Sequence, residues 1–411
     1  MAGALSHLRV LDLSRILAGP WAGQALADMG ADVIKVERPG SGDDTRGWGP
    51  PFVTGADGNP TGVATYYLSA NRNKQSIAID ISSEAGQALV RDLARHSDVL
   101  IENYKVGGLA QYGLDYASLR TVNPKLVYCS ITGFGQTGPY APRAGYDFLV
   151  QGLGGLMSLT GVPDGEPGAG PMKVGVAVTD ILTGLYATSA ILAALAHRDR
   201  DGLRSGDGQH IDLALLDVQV ATLANQASSY LATGVSPTRL GNAHPSIVPY
   251  QAFPTADGHM ILAIGNDGQF QRFCASAGFP ELGADPRFAT NRARVEHRAV
   301  LIPLLERATM QKSTAAWIAL LESKSVPCGP INSLAEVFAD AQVRARGMRV
   351  EMPHTDAGSV ALAASPIKFS ATPVEYRHAP PALGEHGAEI LRRVLALDER
   401  AIAALRSSNV I

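Results

Sequence analysis

The first 135 residues alternate short apolar strands with helices, and this alternation restricts the fold more than any other feature of the sequence. One predicted helix begins at Gly19-Pro20 and another near Ser83. The strand patterns cover residues 8–13, 32–37, 76–80, 98–102 and 126–132. Crossovers between such strands imply a mostly parallel sheet with both faces covered. The sequence therefore predicts an α/β fold with a Rossmann-like large domain.

The rest of the chain predicts a second, smaller domain. A length of 411 residues with 46% hydrophobic content is too large for one core. Strand patterns at 246–253 and 259–265 flank a turn at Asp257-Gly258, and helical patterns follow. We therefore predict a small α+β domain, with the large domain formed from both ends of the chain. The predicted bounds are 1–205 and 330–411 for the large domain, 225–325 for the small domain, and 206–224 and 326–329 for linkers.

Composition excludes several classes of partner. The formal net charge of −3 and the scattered basic residues exclude nucleic-acid binding. Cys129, Cys274 and Cys328 are odd in number and far apart, so neither disulfides nor a metal site is predicted. The start of the sequence lacks a signal peptide pattern, and no uninterrupted apolar run reaches membrane length. These features predict a soluble cytoplasmic protein without a membrane partner.

The first strand lacks the glycine fingerprint of dinucleotide-binding proteins. The segment after it, Ser14-Arg-Ile-Leu-Ala-Gly-Pro-Trp-Ala-Gly23, does not contain the G-x-G-x-x-G pattern. An NAD-dependent oxidoreductase is therefore disfavoured. A different adenine nucleotide at the carboxyl ends of the strands stays open.

Asp180 places a carboxylate at the start of a long apolar helix that extends to His197. A buried carboxylate needs a hydrogen-bonding or ionic partner, so this residue is either a helix cap or a working group. The helix N-terminus would favour the ionised form, which is the form that attacks a carbonyl carbon. Spacing alone favours the helix cap, and the working group stays open as the second interpretation.

Nine blocks in order resemble the family III CoA-transferases along nearly the whole chain. They include the segments 17–20, 30–40, 43–46, 71–74, 99–103, 133–139, the Asp180 helix, 327–330 and 383–386. The resemblance implies that Asp180 is the nucleophile and that a coenzyme A thioester is a substrate, without a permanently bound cofactor. It also implies an interlocked homodimer. Segments 43–52, 66–69 and 246–253 are most similar to members that use succinyl-CoA and a dicarboxylate such as glutarate.

The same family contains 2-methylacyl-CoA racemases, so a racemase or an acyl-CoA thioesterase is the alternative activity. The racemases carry a histidine base where this chain has Tyr146. Without that base, removal of the proton beside the thioester loses its main agent. The resemblance therefore favours a CoA-transferase with an acyl-CoA and a small carboxylic acid as substrates.

The resemblance also assigns contacts to CoA and to the acceptor acid. Arg38 would grip phosphate, and Asn103 and Tyr104 would contact the adenine side, although ordinary core packing stays open for Tyr104. Arg143 lies at a basic CoA contact or in a solvated loop. The full predicted CoA set is Ala18, Arg38, Ile79, Asn103, Tyr104, Arg143 and Tyr146.

A dicarboxylate acceptor needs a cation for its distal carboxylate. Arg72 is the first candidate and Arg46 the second, with a structural salt bridge as the alternative for both. Asp147 is also assigned to the substrate site. The turn Gly133-Phe-Gly135 predicts either oxyanion-stabilising N–H groups or a simple strand-to-loop turn.

Overall fold

The computed structural model describes residues 3–55, 57–200 and 206–411. The chain divides into two compact units, and each is built from separate stretches of sequence. The first unit comprises Met1–Leu156, Val174–Ala232 and Arg344–Ile411. The second comprises Met157–Lys173 and Thr233–Val343.

The described residues of the two units form the following strands and helices, numbered along the chain. The strands are β1 (Arg9–Asp12), β2 (Asp32–Glu37), β3 (Phe52–Thr54), β4 (Pro60–Ala64), β5 (Lys74–Ala78), β6 (Val99–Glu102), β7 (Val127–Thr132), β8 (Gly161–Val162), β9 (Gly170–Pro171), β10 (His210–Ala214), β11 (Tyr250–Pro254), β12 (His259–Ala263), β13 (Cys328–Pro330), β14 (Arg349–His354) and β15 (Gly358–Ala363). The helices are α1 (Ala18–Asp28), α2 (Thr65–Leu68), α3 (Glu84–Arg95), α4 (Tyr116–Val122), α5 (Asp147–Leu153), α6 (Leu156–Leu159), α7 (Val178–Arg198), α8 (Leu215–Ala221), α9 (Ala224–Thr233), α10 (Asp267–Ala277), α11 (Pro280–Ala284), α12 (Asn291–Glu296), α13 (Arg298–Thr309), α14 (Thr314–Glu322), α15 (Leu334–Ala339), α16 (Ala341–Ala345), α17 (Gly387–Leu395) and α18 (Glu399–Ser407).

Among the described residues, six parallel strands form the central sheet of the first unit, in the order β10-β7-β6-β1-β2-β5. The predicted parallel sheet is therefore confirmed. Strand β1 lies in the middle, where Val10 pairs with Val33 on one side and with Val99 on the other. The chain adds β2 and β5 to one side of β1 and then β6, β7 and β10 to the other. The strand order thus reverses beside β1, which creates a crevice at the carboxyl ends of β1 and β6.

Both faces of this sheet are buried, as expected for parallel strands with helical crossovers. Neighbouring residues of one strand point to opposite faces, so Val10 and Leu11 belong to different cores. Helices α1 and α7 cover the first face. Helices α3, α17 and α18 contribute Leu93, Ile390 and Ile402 to the second.

The predicted domain boundaries need correction. The predicted linker 206–224 contains helix α8 and strand β10, and β10 pairs with β7 at the edge of the central sheet. Only alternate residues of this edge strand are withdrawn from solvent, so its apolar signal is short. The predicted linker 326–329 includes the start of β13, which pairs with β12. Residue 205, the predicted end of the first large-domain segment, lies outside the described residues.

The second unit has its own antiparallel sheet, ordered β11-β12-β13. Pro254 pairs with His259 across the turn, so the predicted hairpin at Asp257-Gly258 is confirmed. Helices α10, α13 and α14 pack on this sheet and enclose Phe253, Phe273 and Trp317, which are fully buried.

Helix α7 is long and apolar enough to cross a membrane by length and composition alone. Ala187, Ile191 and Ala194 from this helix are nevertheless buried in the core between α1 and the sheet. It is therefore built as a core helix of the first unit.

Candidate active site

The pocket that contains Asp180 lies at the reversal of strand order. Its walls come from the segment that follows β1 (15–18), the segment that follows β6 (103–106) and the end of β7 with the loop beyond it (131–133 and 141–146). The cavity has a volume of about 170 Å³. Loops at the carboxyl ends of parallel strands converge at such a point, and ligands of open α/β sheets bind there.

Asp180 does not cap its own helix. It lies in the first turn of α7, whose N-cap residue is Ala177 and has no capping side chain. The cap comes from Asp147, whose Oδ2 accepts the backbone N–H of Thr179 at 2.8 Å and of Asp180 at 3.3 Å. Of the two interpretations of Asp180, the helix cap is therefore excluded, and its carboxylate is left to line the pocket.

The same bonds change the interpretation of Asp147. Its second oxygen, Oδ1, accepts a hydrogen bond from Gln151 Nε2 at 2.7 Å, so both oxygens have protein partners. Asp147 also does not line the Asp180 pocket. The substrate contact predicted for Asp147 is therefore not supported, because its carboxylate organises the start of α7.

The charge of Asp180 is disfavoured by its surroundings. Burial, and secondly the negative charge of Asp147, raise the pKa of Asp180 to about 7. The helix N-terminus acts in the opposite direction, because its partial positive charge favours the ionised carboxylate. The carboxylate is therefore poised to be ionised at neutral to mildly alkaline pH, with little solvent to stabilise it.

Tyr66 is an aromatic neighbour of Asp180 that the sequence analysis did not assign to the site. Burial raises the pKa of Tyr66, and the charges of Asp180 and Asp147 add to the shift. The ring of Trp48 packs edge-on against Tyr66 with centroids 5.0 Å apart. Both residues fall in segments that carry the family resemblance, and this was the available signal.

Most of the predicted CoA contacts gather around this pocket. Ala18, Asn103, Tyr104, Arg143 and Tyr146 line it together with Asp180. The Arg143 guanidinium stacks over the ring of Tyr140, with its carbon 4.4 Å from the centroid. This placement combines a cation with a fixed orientation beside the cavity.

A second cavity, of about 560 Å³, adjoins the first. It contains the exposed Arg38 and the buried Ile79, the two predicted CoA contacts that the Asp180 pocket lacks. Arg15, Tyr104 and Lys105 line both cavities. Cations line both cavities, among them Arg15, Arg38 and Lys105, and cations of this kind are suited to binding phosphate groups.

Arg15 and Lys105 were also absent from the predicted site. Arg15 follows β1 at the carboxyl edge of the sheet, as Arg38 follows β2, so its strand position was a usable signal. Asn103 fixes Arg15 from both sides. Its Oδ1 accepts the Arg15 N–H at 2.9 Å, and its Nδ2 donates to the Arg15 carbonyl at 2.7 Å.

Arg72 does not reach the Asp180 pocket. It is 6% exposed, and it donates to Asp28 through Nε at 2.9 Å and through Nη2 at 2.5 Å. Nη1 donates to the carbonyl of Ala363 at 2.9 Å. The acceptor-binding role predicted for Arg72 is therefore not supported, because Asp28 already occupies the two-point face of the guanidinium.

Arg46 is held in a similar way. Its Nε and Nη2 contact both oxygens of Glu37 at 2.8 and 2.7 Å, and Nη2 also donates to the Tyr67 hydroxyl at 2.6 Å. Glu37 is 5% exposed. Like Arg72, Arg46 does not line the Asp180 pocket and corresponds to the structural salt bridge.

The turn after β7 is shaped by close backbone approach. A Cβ on Gly133 would lie 2.4 Å from the Cα of Gly145, so neither residue can carry a side chain. The N–H of Gly135 donates to Thr132 Oγ1 at 2.9 Å. Of the two interpretations of this segment, the strand-to-loop turn fits, since the Gly135 N–H is already used.

The comparisons with known proteins identify the family of the chain. The model of CoA-transferase family III matches residues 5–387. Succinate–glutarate CoA-transferase of Agrobacterium fabrum is 55% identical over 397 residues, which cover 97% of each chain. Succinyl-CoA:glutarate CoA-transferase of Mus musculus is 45% identical over 99% of this chain and 90% of the relative.

A solved structure shows the same fold. The crystal structure of a CAIB/BAIF family protein from Brucella suis is 52% identical and superposes with a TM-score of 0.83, over 96% of this chain and 100% of that one. The residues matched by the family model span both units and include every residue that lines the Asp180 pocket. The chain belongs to CoA-transferase family III and is a CoA-transferase that uses CoA thioester substrates.

Proposed function

We propose that this enzyme moves CoA from succinyl-CoA to a dicarboxylate such as glutarate, through a covalent intermediate on Asp180. One observation carries the proposal. Asp180 is the carboxylate that faces the cavity at the reversal of strand order, where the predicted CoA contacts also meet. The substrates named for the relatives in Agrobacterium fabrum and Mus musculus support the choice of succinate and glutarate.

A carboxylate nucleophile keeps the acyl group activated. An Asp180 oxygen attacks the thioester carbon of succinyl-CoA, and CoA leaves as the thiolate, so that a mixed anhydride remains on the enzyme. The thiolate then attacks the aspartyl carbonyl carbon and releases succinate. The enzyme now carries CoA as an aspartyl thioester.

The acceptor reverses these two steps. Its carboxylate attacks the aspartyl thioester and expels CoA thiolate, which gives a second anhydride. The thiolate attacks the acceptor carbonyl carbon and returns the Asp180 carboxylate. No net proton is required, and the half-buried position of Asp180 limits loss of the anhydride to water.

The cations and the aromatic ring along the two cavities would hold CoA. Arg38 and Arg143 supply charge for phosphate, and Tyr104 supplies a ring face for the base. Ala18, Ile79, Asn103 and Tyr146 complete the proposed contacts. CoA enters as a substrate, and we propose no permanently bound cofactor.

We also propose a homodimer, interlocked as the family resemblance implies, in the cytoplasm. Large apolar side chains remain exposed on the first unit, among them Phe148 and Leu153 on α5, Leu185 on α7, and Leu231, which is 81% exposed. Monomeric proteins rarely leave such surfaces uncovered. Light scattering during size-exclusion chromatography should give twice the 43.1 kDa chain mass.

Trapping tests the covalent step. Incubation with succinyl-CoA followed by hydroxylamine should convert Asp180 to a hydroxamate, which peptide mass spectrometry would locate. Asp180→Asn should give no label and lose transfer by several orders of magnitude. Transfer at near the wild-type rate in this variant would refute the mechanism.

A deuterium experiment separates the racemase alternative. A chiral 2-methylacyl-CoA in deuterated water should not exchange the hydrogen beside its thioester, because this chain has Tyr146 where the racemases have their histidine base. Rapid exchange in the absence of an acceptor acid would favour a racemase.

A further inference from the structure

Ile16 has a backbone conformation that its side chain opposes. Its φ is +71°, in the left-handed region that β-branched residues almost never occupy. Strained backbone of this kind persists only where surrounding contacts enforce it, and it concentrates at functional sites. Ile16 lies between β1 and α1 and lines the Asp180 pocket. The contacts that hold Ile16 in this conformation therefore also shape the pocket.

Asp43 holds the strained peptide. The Ile16 N–H points at both of its oxygens, at 3.2 Å each. Asp43 is 1% exposed, and its Oδ1 also accepts from the backbone and the hydroxyl of Thr45 at 3.0 and 2.8 Å. The Asp43 carboxylate is therefore also held by contacts that do not involve Ile16.

Lys35 holds the other side of the same turn. Its ammonium group is completely buried and donates to Asp43 Oδ2 and to the carbonyl of Ser14, both at 2.9 Å. Burial alone would raise the pKa of Asp43, but the charge of Lys35 and the bonds from Thr45 lower it to about 2. Against the effect of burial, the charges of Asp43 and Glu37 in turn raise the pKa of Lys35, so the pair stays ionised at neutral pH.

The turn from Ser14 to Ala18, hereafter the β1–α1 turn, supplies one wall of the reaction site. Four of its residues, 15–18, line the Asp180 pocket, and Arg15 continues into the adjoining cavity. The carbonyl of Leu17 accepts the N–H of Trp21, which lies in the first turn of α1. A small rotation at Ile16 would displace Arg15 and Ala18 together.

We propose that Asp43 and Lys35 are positioning residues for CoA transfer, because they lock Ile16 in the left-handed conformation and so fix the β1–α1 turn against Asp180. Both residues also line the adjoining cavity, so recovery through Ile16, rather than the loss of CoA affinity alone, distinguishes positioning from direct contact. This inference rests on the proposed function where turnover is measured. The binding of free CoA is a second measurement that does not depend on the proposed function.

The test is a rescue experiment. Asp43→Asn removes the charge that balances Lys35, and it should lower kcat/KM at least tenfold and weaken the binding of free CoA in calorimetry. Glycine adopts a φ of +71° without strain. Ile16→Gly, introduced into the Asp43→Asn protein, should therefore recover most of the lost kcat/KM. Ile16→Ala in the same background should not.

Two controls separate positioning from general stability. Ala396 is also left-handed, with φ +52°, but it follows α17 and lines neither cavity. Ala396→Gly should leave the Asp43→Asn deficit unchanged. Thr45→Val is a milder variant that removes one hydroxyl donor from Asp43 and should lower kcat/KM several-fold. It takes the place of Asp43→Asn if that protein does not fold.

The outcomes discriminate. If Asp43→Asn and Thr45→Val both keep wild-type kcat/KM and CoA affinity per folded molecule, or if Ile16→Gly gives no recovery, the positioning role is wrong. A wild-type protein that binds CoA but transfers none would refute the proposed function instead. The CoA affinities of the same variants would then still test the role of Asp43.

Discussion

Asp180 holds a position that serves chemistry and costs stability. Its carboxylate is half-buried beside Asp147, and its pKa is raised to about 7 from an ordinary value of 3.8. The folded protein therefore keeps a proton that the unfolded chain has already released between pH 4 and pH 7. Linkage requires the stability contributed by this proton to fall as pH rises through that interval.

Asp180→Asn should consequently be more stable than the wild type at pH 8, since a neutral amide avoids the buried charge. The difference in melting temperature should shrink as the pH is lowered from 7 and vanish near pH 4. Differential scanning calorimetry across this range measures it. Glu322→Gln, at an exposed carboxylate, is the control and should show no such trend. Equal melting temperatures at pH 8 would contradict the raised pKa.

Arg72 belongs to the stability of the first unit. Arg72→Ala leaves the 3%-exposed Asp28 with its bond from Asn73 but without its ionic partner, and it should lower the free energy of unfolding by about 3–5 kcal/mol. Denaturant titration checks the loss. Arg120→Ala, which breaks an exposed pair with Asp207, should cost less than about 1 kcal/mol.

Acceptor preference gives the second readout for Arg72. The ratio of kcat/KM for glutarate to that for a monocarboxylate should be unchanged in Arg72→Ala, because the side chain lies outside the Asp180 pocket. A selective loss with glutarate would restore the role that its structural contacts argue against.

Helices α1 and α7 cross at a point where only glycine fits. A Cβ on Gly184 of α7 would lie 2.7 Å from the carbonyl oxygen of Ala18 and 2.9 Å from Trp21 Cβ. Ala18 also lines the Asp180 pocket. The contact therefore couples the helix that carries Asp180 to the helix that follows the β1–α1 turn.

Gly184→Ala should destabilise the protein by about 1–3 kcal/mol through overpacking, although alanine is the better helix former by about 1 kcal/mol. Thermal or denaturant unfolding measures the change. Gly268→Ala in α10 is the matched control, because a Cβ there meets nothing closer than 3.5 Å. It should leave stability unchanged or slightly increased. A Gly184→Ala protein as stable as the wild type would show that α1 yields at this contact.

At the scale of the whole molecule, the two units differ in how they assemble. The core of the second unit draws on residues between 248 and 328 alone. The core of the first unit needs strands from the beginning of the chain and helices from its end. The second unit is therefore the more local of the two.

The fragment 233–343 should fold independently. Trp317 is fully buried, and its Nε1 donates to the carbonyl of Thr309 at 2.6 Å, so its fluorescence reports the core. The fragment should show a blue-shifted tryptophan emission and a cooperative thermal transition. The isolated fragment 1–156 is the comparison and should show no cooperative thermal transition. A fragment 233–343 that unfolds without cooperativity would contradict the locality of its core.

The sequence predicts the parallel sheet because each strand carries its own apolar pattern, from the Leu8–Leu13 segment to the Leu126–Thr132 segment. It does not predict the β14–β15 hairpin, where Pro353 and alternating exposed residues weaken the strand signal. The pairing between the two strands, from Arg349 with Ala363 to His354 with Gly358, defines this hairpin more than the local pattern does.

The site was predictable where position along a strand decides it. The family resemblance singled out Asp180, Arg38, Asn103 and Tyr104, and their positions near strand or helix ends bring them to the two cavities. The partners of Arg72 and Arg46 lie in α1 and β2, and no local pattern pairs a guanidinium with a particular distant carboxylate. The cap that Asp147 gives to α7 was hidden for the same reason.

The split construction of the first unit also imposes a schedule on protein synthesis. Ile390 and Ile402 fill the face of the sheet opposite α1, and the N–H of Asp80 donates to the carbonyl of Val410 at 2.8 Å. The ribosome must translate the whole second unit before it supplies these residues, a delay of roughly 10–40 s at ordinary elongation rates. Throughout that interval, the apolar face that α3 shares with α17 and α18 in the folded unit is only partly covered. This enzyme should therefore depend on chaperones that shield early strands, and its final helices should act as the closing step of maturation.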